Sequence, residues 1–263
     1  MQSREEKSAG YQKIVGACQE LLSDPMAASA REYLDSRISR ASQREFGFGY
    51  FPVTDRLDQL LELVPAEVLV RCDAMYDRHL LGGFRRHGHF SDHNLIMPLH
   101  DAYGNIVALL GRSLLSGDEQ AEAELKKYKY SFGYHNSLFL FGLLQAKEAI
   151  INRDLVIGVE GQFDAIACYE VGIENVVALG CSSLSRWQFF QLRRYTPNLL
   201  LMLDNDGGGY EGKKKIKEKY SNYATIRTAG IPAGYKDIDE FIRKEKDLTW
   251  KQSVIDQLRT MSF

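Results

Sequence analysis

Cysteine is sparse and unpaired in this chain. Its four cysteines stand far apart at Cys18, Cys72, Cys168 and Cys181, and no Cys-x-x-Cys pair occurs. Zinc ribbons are built from such pairs, so one is excluded here, and a disulfide framework is not expected. Long apolar runs are missing too. No stretch approaches the roughly 18 residues that a membrane-spanning helix needs. The polar, mixed-charge start from Met1 to Gly10 has none of the apolar centre of a secretory signal. A cytoplasmic location with no membrane partner is the default expectation. Charge of one sign is also lacking: 33 Lys and Arg against 35 Asp and Glu leave a formal net charge of -2. That balance neither demands nor forbids a nucleic-acid partner, and what matters is where the charges cluster.

What is present is ordinary for a globular protein: 44% hydrophobic and 26% charged residues in a chain of 263. That length suits one large domain or two moderate ones. Residues 11–40 read as helical, with Ile14, Val15, Cys18, Leu21 and Leu22 at helical spacing and a break at Asp24-Pro25. A Gly and aromatic segment, Phe46-Gly47-Phe48-Gly49-Tyr50-Phe51-Pro52, ends in a turn, and Leu57 to Leu63 is a short amphipathic helix. Leu95-Ile96-Met97 and Ile106 to Leu110 flank the turn formers Asp101 to Asn105, the signal of a β-hairpin. Leu143 to Ile151 reads as a helix. From Asp154 onward, strands at 155–159, 176–179, 199–203 and 224–228 alternate with helices, which implies βαβ units and a parallel sheet. The expected fold is α/β: a parallel, Rossmann-like sheet preceded by a mixed α+β subdomain. The division falls at 1–150, 151–246 and a C-terminal helix over 247–263.

Two buried strands end in acid. Leu155 to Val159 runs into Glu160-Gly161, and Leu199 to Leu203 runs into Asp204-Asn205-Asp206-Gly207. Ligands of open parallel sheets bind at the carboxyl ends of strands, so Glu160, Asp204 and Asp206 should meet at one edge. Carboxylates that close repel one another unless a cation lies between them, and hard oxygen donors suit Mg2+ or Mn2+. Taken singly, Glu160 can be a strand exit or helix cap, and Asp-x-Asp-Gly a tight turn. Asp164 lies one helical turn beyond Glu160. Asp237 and Asp239 can simply cap the helix after the fourth strand.

Glu160-Gly161, the Asp204-x-Asp206 pair and the alternating elements resemble the TOPRIM domain over roughly 153–245. Segments outside it resemble the bacterial-type (DnaG-like) primases. Phe46 to Pro52 is similar to that family's Phe-Gly-Ile-Gly-Tyr-Ala-Pro. Met97-Pro98-Leu99-His100-Asp101 up to Gly111-Arg112 resembles its hairpin ending in Gly-Gly-Arg, and Lys127 to Ser131 its Lys-Tyr-Leu-Asn-Ser. Glu160 to Ala165 resembles Glu-Gly-Tyr-Met-Asp-Val, and Asp237 to Phe241 resembles Asp-Pro-Asp-Glu-Phe. The motifs keep the family's order from about residue 11 to 245. The chain departs at Asn94, Leu110 and Phe141, where the family has a basic residue, a second Gly and a basic residue.

The resemblance implies primer synthesis: nucleotidyl transfer from ribonucleotide triphosphates on a single-stranded DNA template. It implies Glu160, Asp204 and Asp206 as catalytic acids, with Asp164, Asp237 and Asp239 joining them around Mg2+ or Mn2+, and no zinc. Arg112, Lys127, Tyr128 and Lys129 would hold template or nucleotide, within the basic and aromatic run Lys126 to Tyr130; the plainer reading of that run is a solvated charged turn. Arg85 and Arg86 are weaker candidates. The Lys213 to Lys219 run reads as an exposed helix face, with phosphate contact by a few of its lysines left open. His87, His89 and His93, in a Gly-rich turn, read as surface histidines rather than a metal site. A separate zinc-binding module or replicative helicase is the expected partner, as would suit a phage or mobile element. The alternatives are another TOPRIM enzyme that cuts DNA, or a catalytically silent primase-like protein.

Overall fold

The computed structural model describes residues 4–80 and 83–262. The chain divides into two compact units. One runs to His100 and resumes over Gly104–Tyr134; the other takes Asp101–Tyr103 and the chain from His135 onward. The division thus lies ahead of the residue 150 expected from sequence, because the helix at 143–153 packs into the core of the second unit.

The first unit comprises α1 (Arg4–Leu21), α2 (Ala28–Asp35), α3 (Arg40–Glu45), β1 (Gly49–Tyr50), α4 (Leu57–Leu63), α5 (Ala66–Arg71), β2 (Met75–Leu80), β3 (Gly83–Gly88), β4 (Leu95–His100), β5 (Ile106–Arg112), α6 (Gly117–Glu122) and β6 (Tyr128–Tyr130). α1 buries Tyr11, Ile14, Cys18 and Leu21, three and four residues apart. Asp24 then accepts from the Met26 amide at 2.9 Å, and Pro25 opens a short 3-10 turn. The glycines of the 46–52 segment have separate reasons. Gly47 sits at φ +70°, and a Cβ on Gly49 would lie 2.8 Å from the Cys18 backbone. The expected hairpin is β4–β5, extended to the antiparallel order β1-β4-β5-β6. β2 and β3 form a second hairpin, where the sequence suggested only a Gly-rich turn.

The second unit comprises α7 (Leu143–Arg153), β7 (Val156–Val159), α8 (Gln162–Glu170), β8 (Val176–Ala178), α9 (Arg186–Arg193), β9 (Asn198–Leu201), α10 (Gly207–Tyr220), β10 (Thr225–Thr228), α11 (Ile238–Lys244) and α12 (Leu248–Thr260). Its sheet is parallel, ordered β10-β9-β7-β8. Successive strand residues face opposite sides. Val156, Val177, Leu199 and Leu201 pack with α7, α9 and α10, while Ile157, Val159, Leu200 and Met202 pack with α8, α11 and α12. Full burial of each such side chain contributes about 1.5–3 kcal/mol. From β7 the chain crosses to β8 on one side and returns to β9 on the other. The carboxyl ends of β7 and β9 therefore flank the switch point where open α/β sheets bind ligands.

Candidate functional site

Glu160 leaves β7 and Asp204 follows β9, so strand order sets them side by side. The Asp204 amide donates to Glu160 Oε1 at 3.1 Å. Burial, then the charges of Asp204 and Asp206, push the Glu160 carboxyl above its ordinary range, against the pull of that amide bond. Asp206 is exposed and caps α10, accepting from the Gly209 amide at 2.8 Å. A Cβ on Gly209 would stand 2.1 Å from the Asp204 carbonyl oxygen, so only glycine lets α10 start this close to the acid loop.

The other three acids are held by their surroundings. Asp164 is buried and accepts from the amides of Gly161 at 2.9 Å and Asp239 at 3.3 Å. Burial, then Asp237 and Asp204, raises its carboxyl to about 7. Asp237 caps α11 by accepting from the Glu240 amide at 2.7 Å. Asp239 is buried, and Arg243 donates to both its oxygens at 2.8 and 2.7 Å. Among the described residues, no three His, Cys, Asp or Glu side chains converge as a ready metal cage. The donor set still suits a hard divalent cation. Glu160, Asp204 and Asp206 are oxygen donors at one sheet edge, burial and then the neighbouring carboxylates raise Glu160, and Gly207 has open space around it.

Two cations face these acids: Lys236, which no sequence signal marked, and Lys213, which the sequence left undistinguished within its lysine run. Lys236 Nζ lies 3.8 Å from Asp204 Oδ2. Asn205 braces its loop, its side-chain amide donating to the carbonyls of Ile231 at 2.9 Å and Tyr235 at 3.0 Å. Lys213 was expected on an exposed helix face with Lys214, Lys215, Lys217 and Lys219. Those four are exposed, but Lys213 is buried. Burial lowers its ammonium below the usual range, and Glu160, Asp204 and Asp206 oppose that shift. The signal was available: Gly209, Gly212, Lys213, Ile216 and Tyr220 form one buried stripe at helical spacing.

In the first unit, β6 is the edge strand beside β5, pairing Arg112 with Tyr128 and Gly111 with Lys129. Within β6, Lys129 faces one side and Tyr128 and Tyr130 the other, while the Lys127 ammonium, just before the strand, lies 5.4 Å from the Tyr128 ring centroid. Arg112 donates to the Tyr128 hydroxyl at 2.9 Å, and its guanidinium lies over the rings of Tyr33 at 4.8 Å and Tyr128 at 5.3 Å. Burial pushes the Tyr128 phenol up to about 12, with Arg112 pulling the other way. Tyr128 is thus engaged with Arg112, while Lys127 is exposed and Lys129 half-buried.

The histidines are not the surface groups expected from sequence. His93 is buried, and its Nε2 pairs with the Lys126 carbonyl at 2.8 Å; His89 Nε2 pairs with the Tyr130 carbonyl at 2.9 Å. One helical turn apart in number, they hold both ends of the outer edge of β6. His93 Nδ1 is buried without a hydrogen-bond partner among the described residues. His87 lies in β3, its Nδ1 3.0 Å from the Thr54 hydroxyl. Arg86 is exposed; the Arg85 side chain lies outside the described residues.

Residues 17–147 match the family model of the DNA primase catalytic core, N-terminal domain, and residues 157–242 match the Toprim-like family. The DNA primase of Thermotoga maritima is 32% identical over 229 residues, which cover 85% of this chain and 39% of that protein. This chain belongs to the bacterial-type DNA primase family. It spans well under half the length of the curated primases it matches. The crystal structure of the Aquifex aeolicus primase zinc-binding and RNA polymerase domains is similar at TM-score 0.78 and 25% identity, over 100% of this chain and 62% of that one. A DnaG primase catalytic domain solved bound to ssDNA shares the fold at TM-score 0.76 and 23% identity, over 97% of this chain and 81% of that one.

The departures from the primase pattern have local reasons. The Asn94 amide donates to the carbonyls of Phe51 and Ser91, each at 2.9 Å, and so ties β1 to the loop before β4. Leu110 is fully buried. Phe141 forms an isolated antiparallel bridge with Ala178 at the edge of the parallel sheet.

Proposed function

We propose that this chain is the catalytic part of a primase that makes short RNA primers on single-stranded DNA from ribonucleotide triphosphates. The observation that carries the reading is the pairing of Glu160 with Asp204 across adjacent strands at the switch point, faced by Lys213 and Lys236. The first unit would hold the template and the second the metal and nucleotide, with α12 packed on its parallel sheet.

Glu160, Asp204 and Asp206 would hold Mg2+ or Mn2+, with Asp164, Asp237 and Asp239 shaping the acid loop behind them. A divalent cation bound there offsets triphosphate charge and aligns an in-line displacement. Lys236 and Lys213 would take the remaining phosphate charge. The free amides at the start of α10, beside Gly207 and Gly208, suit a phosphate oxygen. Arg112, Lys127, Tyr128 and Lys129 would guide the template strand: Lys127 and Lys129 against its phosphates, with Arg112 and Tyr128 setting the strand that carries them. Positioning and electrostatics, rather than covalent chemistry, would do the catalytic work. A zinc-binding module or replicative helicase is the expected partner, in the cytoplasm.

The test is primer synthesis on single-stranded DNA with all four ribonucleotide triphosphates and Mg2+ or Mn2+. Short RNA from the wild type, lost in Asp204→Ala with Asp206→Ala, supports the reading. DNA cleavage in place of synthesis would replace it with a nuclease.

A further inference from the structure

α9 turns two faces in opposite directions. Phe189 and Leu192 enter the core, and the buried Gln188 side chain donates to the carbonyls of Phe139 at 2.8 Å and Leu179 at 3.0 Å. The outer face carries Arg186, Trp187, Phe190, Arg193 and Arg194, all exposed. Trp187 is 67% exposed and Phe190 48%, and Tyr103, in the same unit, is 74% exposed. These rings are interleaved with cations. The Arg186 guanidinium lies 5.5 Å above the Phe190 ring, and Arg194 donates to the Tyr103 hydroxyl at 3.3 Å. Lys147 donates to the carbonyl of Ala102 at 3.2 Å, adding a further positive charge beside Tyr103.

The charge on α9 itself is all of one sign; the nearest acids are Asp101, which accepts from the Tyr103 amide, and Asp154, which meets Thr196 beyond the end of the helix. From Asn175 to Leu203 the chain holds no Asp or Glu, although acids slightly outnumber bases in the whole protein. A face built to bind protein would need an apolar centre, but this one offers separate rings spaced by guanidiniums. Separate rings with arginines between them suit single-stranded nucleic acid: bases stack on the rings and phosphates meet the arginines. Trp187 and Phe190 stand about one turn apart, roughly 5 Å along the helix, so adjacent bases can each take a ring.

We infer that the outer face of α9, with Tyr103, is a second binding surface for single-stranded nucleic acid, carried by the Toprim-like unit and distinct from the acid site. It rests on the reading that the chain works on single strands, and the experiment separates the two. The protein has two tryptophans. Trp250→Phe leaves Trp187 as the sole tryptophan emitter, and this substitution keeps an aromatic ring against Phe241, whose centroid is 5.4 Å away.

That variant is titrated with oligo(dT) and, separately, oligo(U), reading both Trp187 emission and the anisotropy of labelled oligonucleotide. Saturable quenching by either oligonucleotide supports the surface, and the stronger of the two identifies template or product strand. Quenching should persist in Lys127→Ala with Lys129→Ala. It should be lost, with roughly tenfold weaker binding, in Arg193→Glu with Arg194→Glu. Unchanged Trp187 emission while anisotropy reports binding would overturn the proposal. So would unchanged emission with self-association abolished by Trp187→Ala and Phe190→Ala, which would make the face a protein interface. Asp204→Ala with Asp206→Ala removes synthesis without touching this face, so failure of primer synthesis and failure of quenching are separate results.

Discussion

Carboxylate repulsion at the end of β7 is set against two lysines, and the balance depends on which charges are removed. Asp204→Asn with Asp206→Asn relieves the repulsion on Glu160. In metal-free buffer the melting temperature should stay level or rise slightly, while primer synthesis falls by about 100- to 1,000-fold, the equivalent of some 3–4 kcal/mol. A large drop in melting temperature would instead mark these acids as structural. The sign with pH follows from the raised carboxyls of Glu160 and Asp164. A carboxyl raised in the folded state favours folding when protonated. That contribution is complete below the unfolded value, about 4, and is lost as pH rises towards about 7, the folded value of Asp164. Mg2+ should restore what is lost, so its stabilisation in thermal melts should be larger at pH 8 than at pH 5. Glu160, Asp204 and Asp206 were legible as strand-end acids because two apolar runs of one alternating α/β unit each stop at an acid. Lys213 was not, because a run of three lysines hides which one lies on the stripe of Gly209, Gly212 and Ile216.

At the scale of elements, β6 is hung from two histidines and α10 is docked through glycine. Burial lowers the affinity of His89 and His93 for protons, with Lys129 adding to the effect and Asp92 opposing it at His93. A histidine depressed in the folded state loses stabilisation as pH falls below its unfolded value of about 6.5. Amide exchange over residues 126–130, corrected for intrinsic rates, should therefore quicken between pH 7.5 and 5.5. His93→Leu should speed it at every pH, at a cost of about 1–2 kcal/mol; His93→Gln, which can still donate, should retain most protection and lose the share of the pH dependence that His93 carries, leaving that of His89. At the start of α10, Gly209→Ala must push the helix from the Asp204 carbonyl, costing about 1–3 kcal/mol in denaturant melts and weakening synthesis with it. The parallel sheet, with its helices, could be read almost element by element, because strands buried on both faces are continuous apolar runs. The β2–β3 hairpin could not. Its strands Met75–Leu80 and Gly83–Gly88 mix Asp, Arg, His and Gly, and no apolar alternation marks them.

For the whole molecule, a net charge of -2 means that binding to DNA cannot come from overall attraction. The proposed binding rests on local basic faces, and salt dependence counts them. The slope of log affinity against log salt is about -0.7 per phosphate neutralised on a single strand. Lys127→Ala with Lys129→Ala should make that slope shallower by about 1.4 in anisotropy titrations; an unchanged slope would remove both lysines from the template path. The order of motifs along the chain already indicated two parts, but the limit between them was set too late, because the helix at 143–151 was assigned to the first part and is core of the second unit in the structure. One arrangement reaches beyond the finished protein. Glu160 and Asp204 touch across neighbouring strands yet lie 44 positions apart in the chain. On the ribosome, Glu160 emerges about 2–9 s before its partner. In that interval the nascent chain has only half a cation trap and cannot capture metal prematurely. On the proposed function, metal capture therefore waits until β9 has joined β7, and a half-threaded sheet is chemically silent.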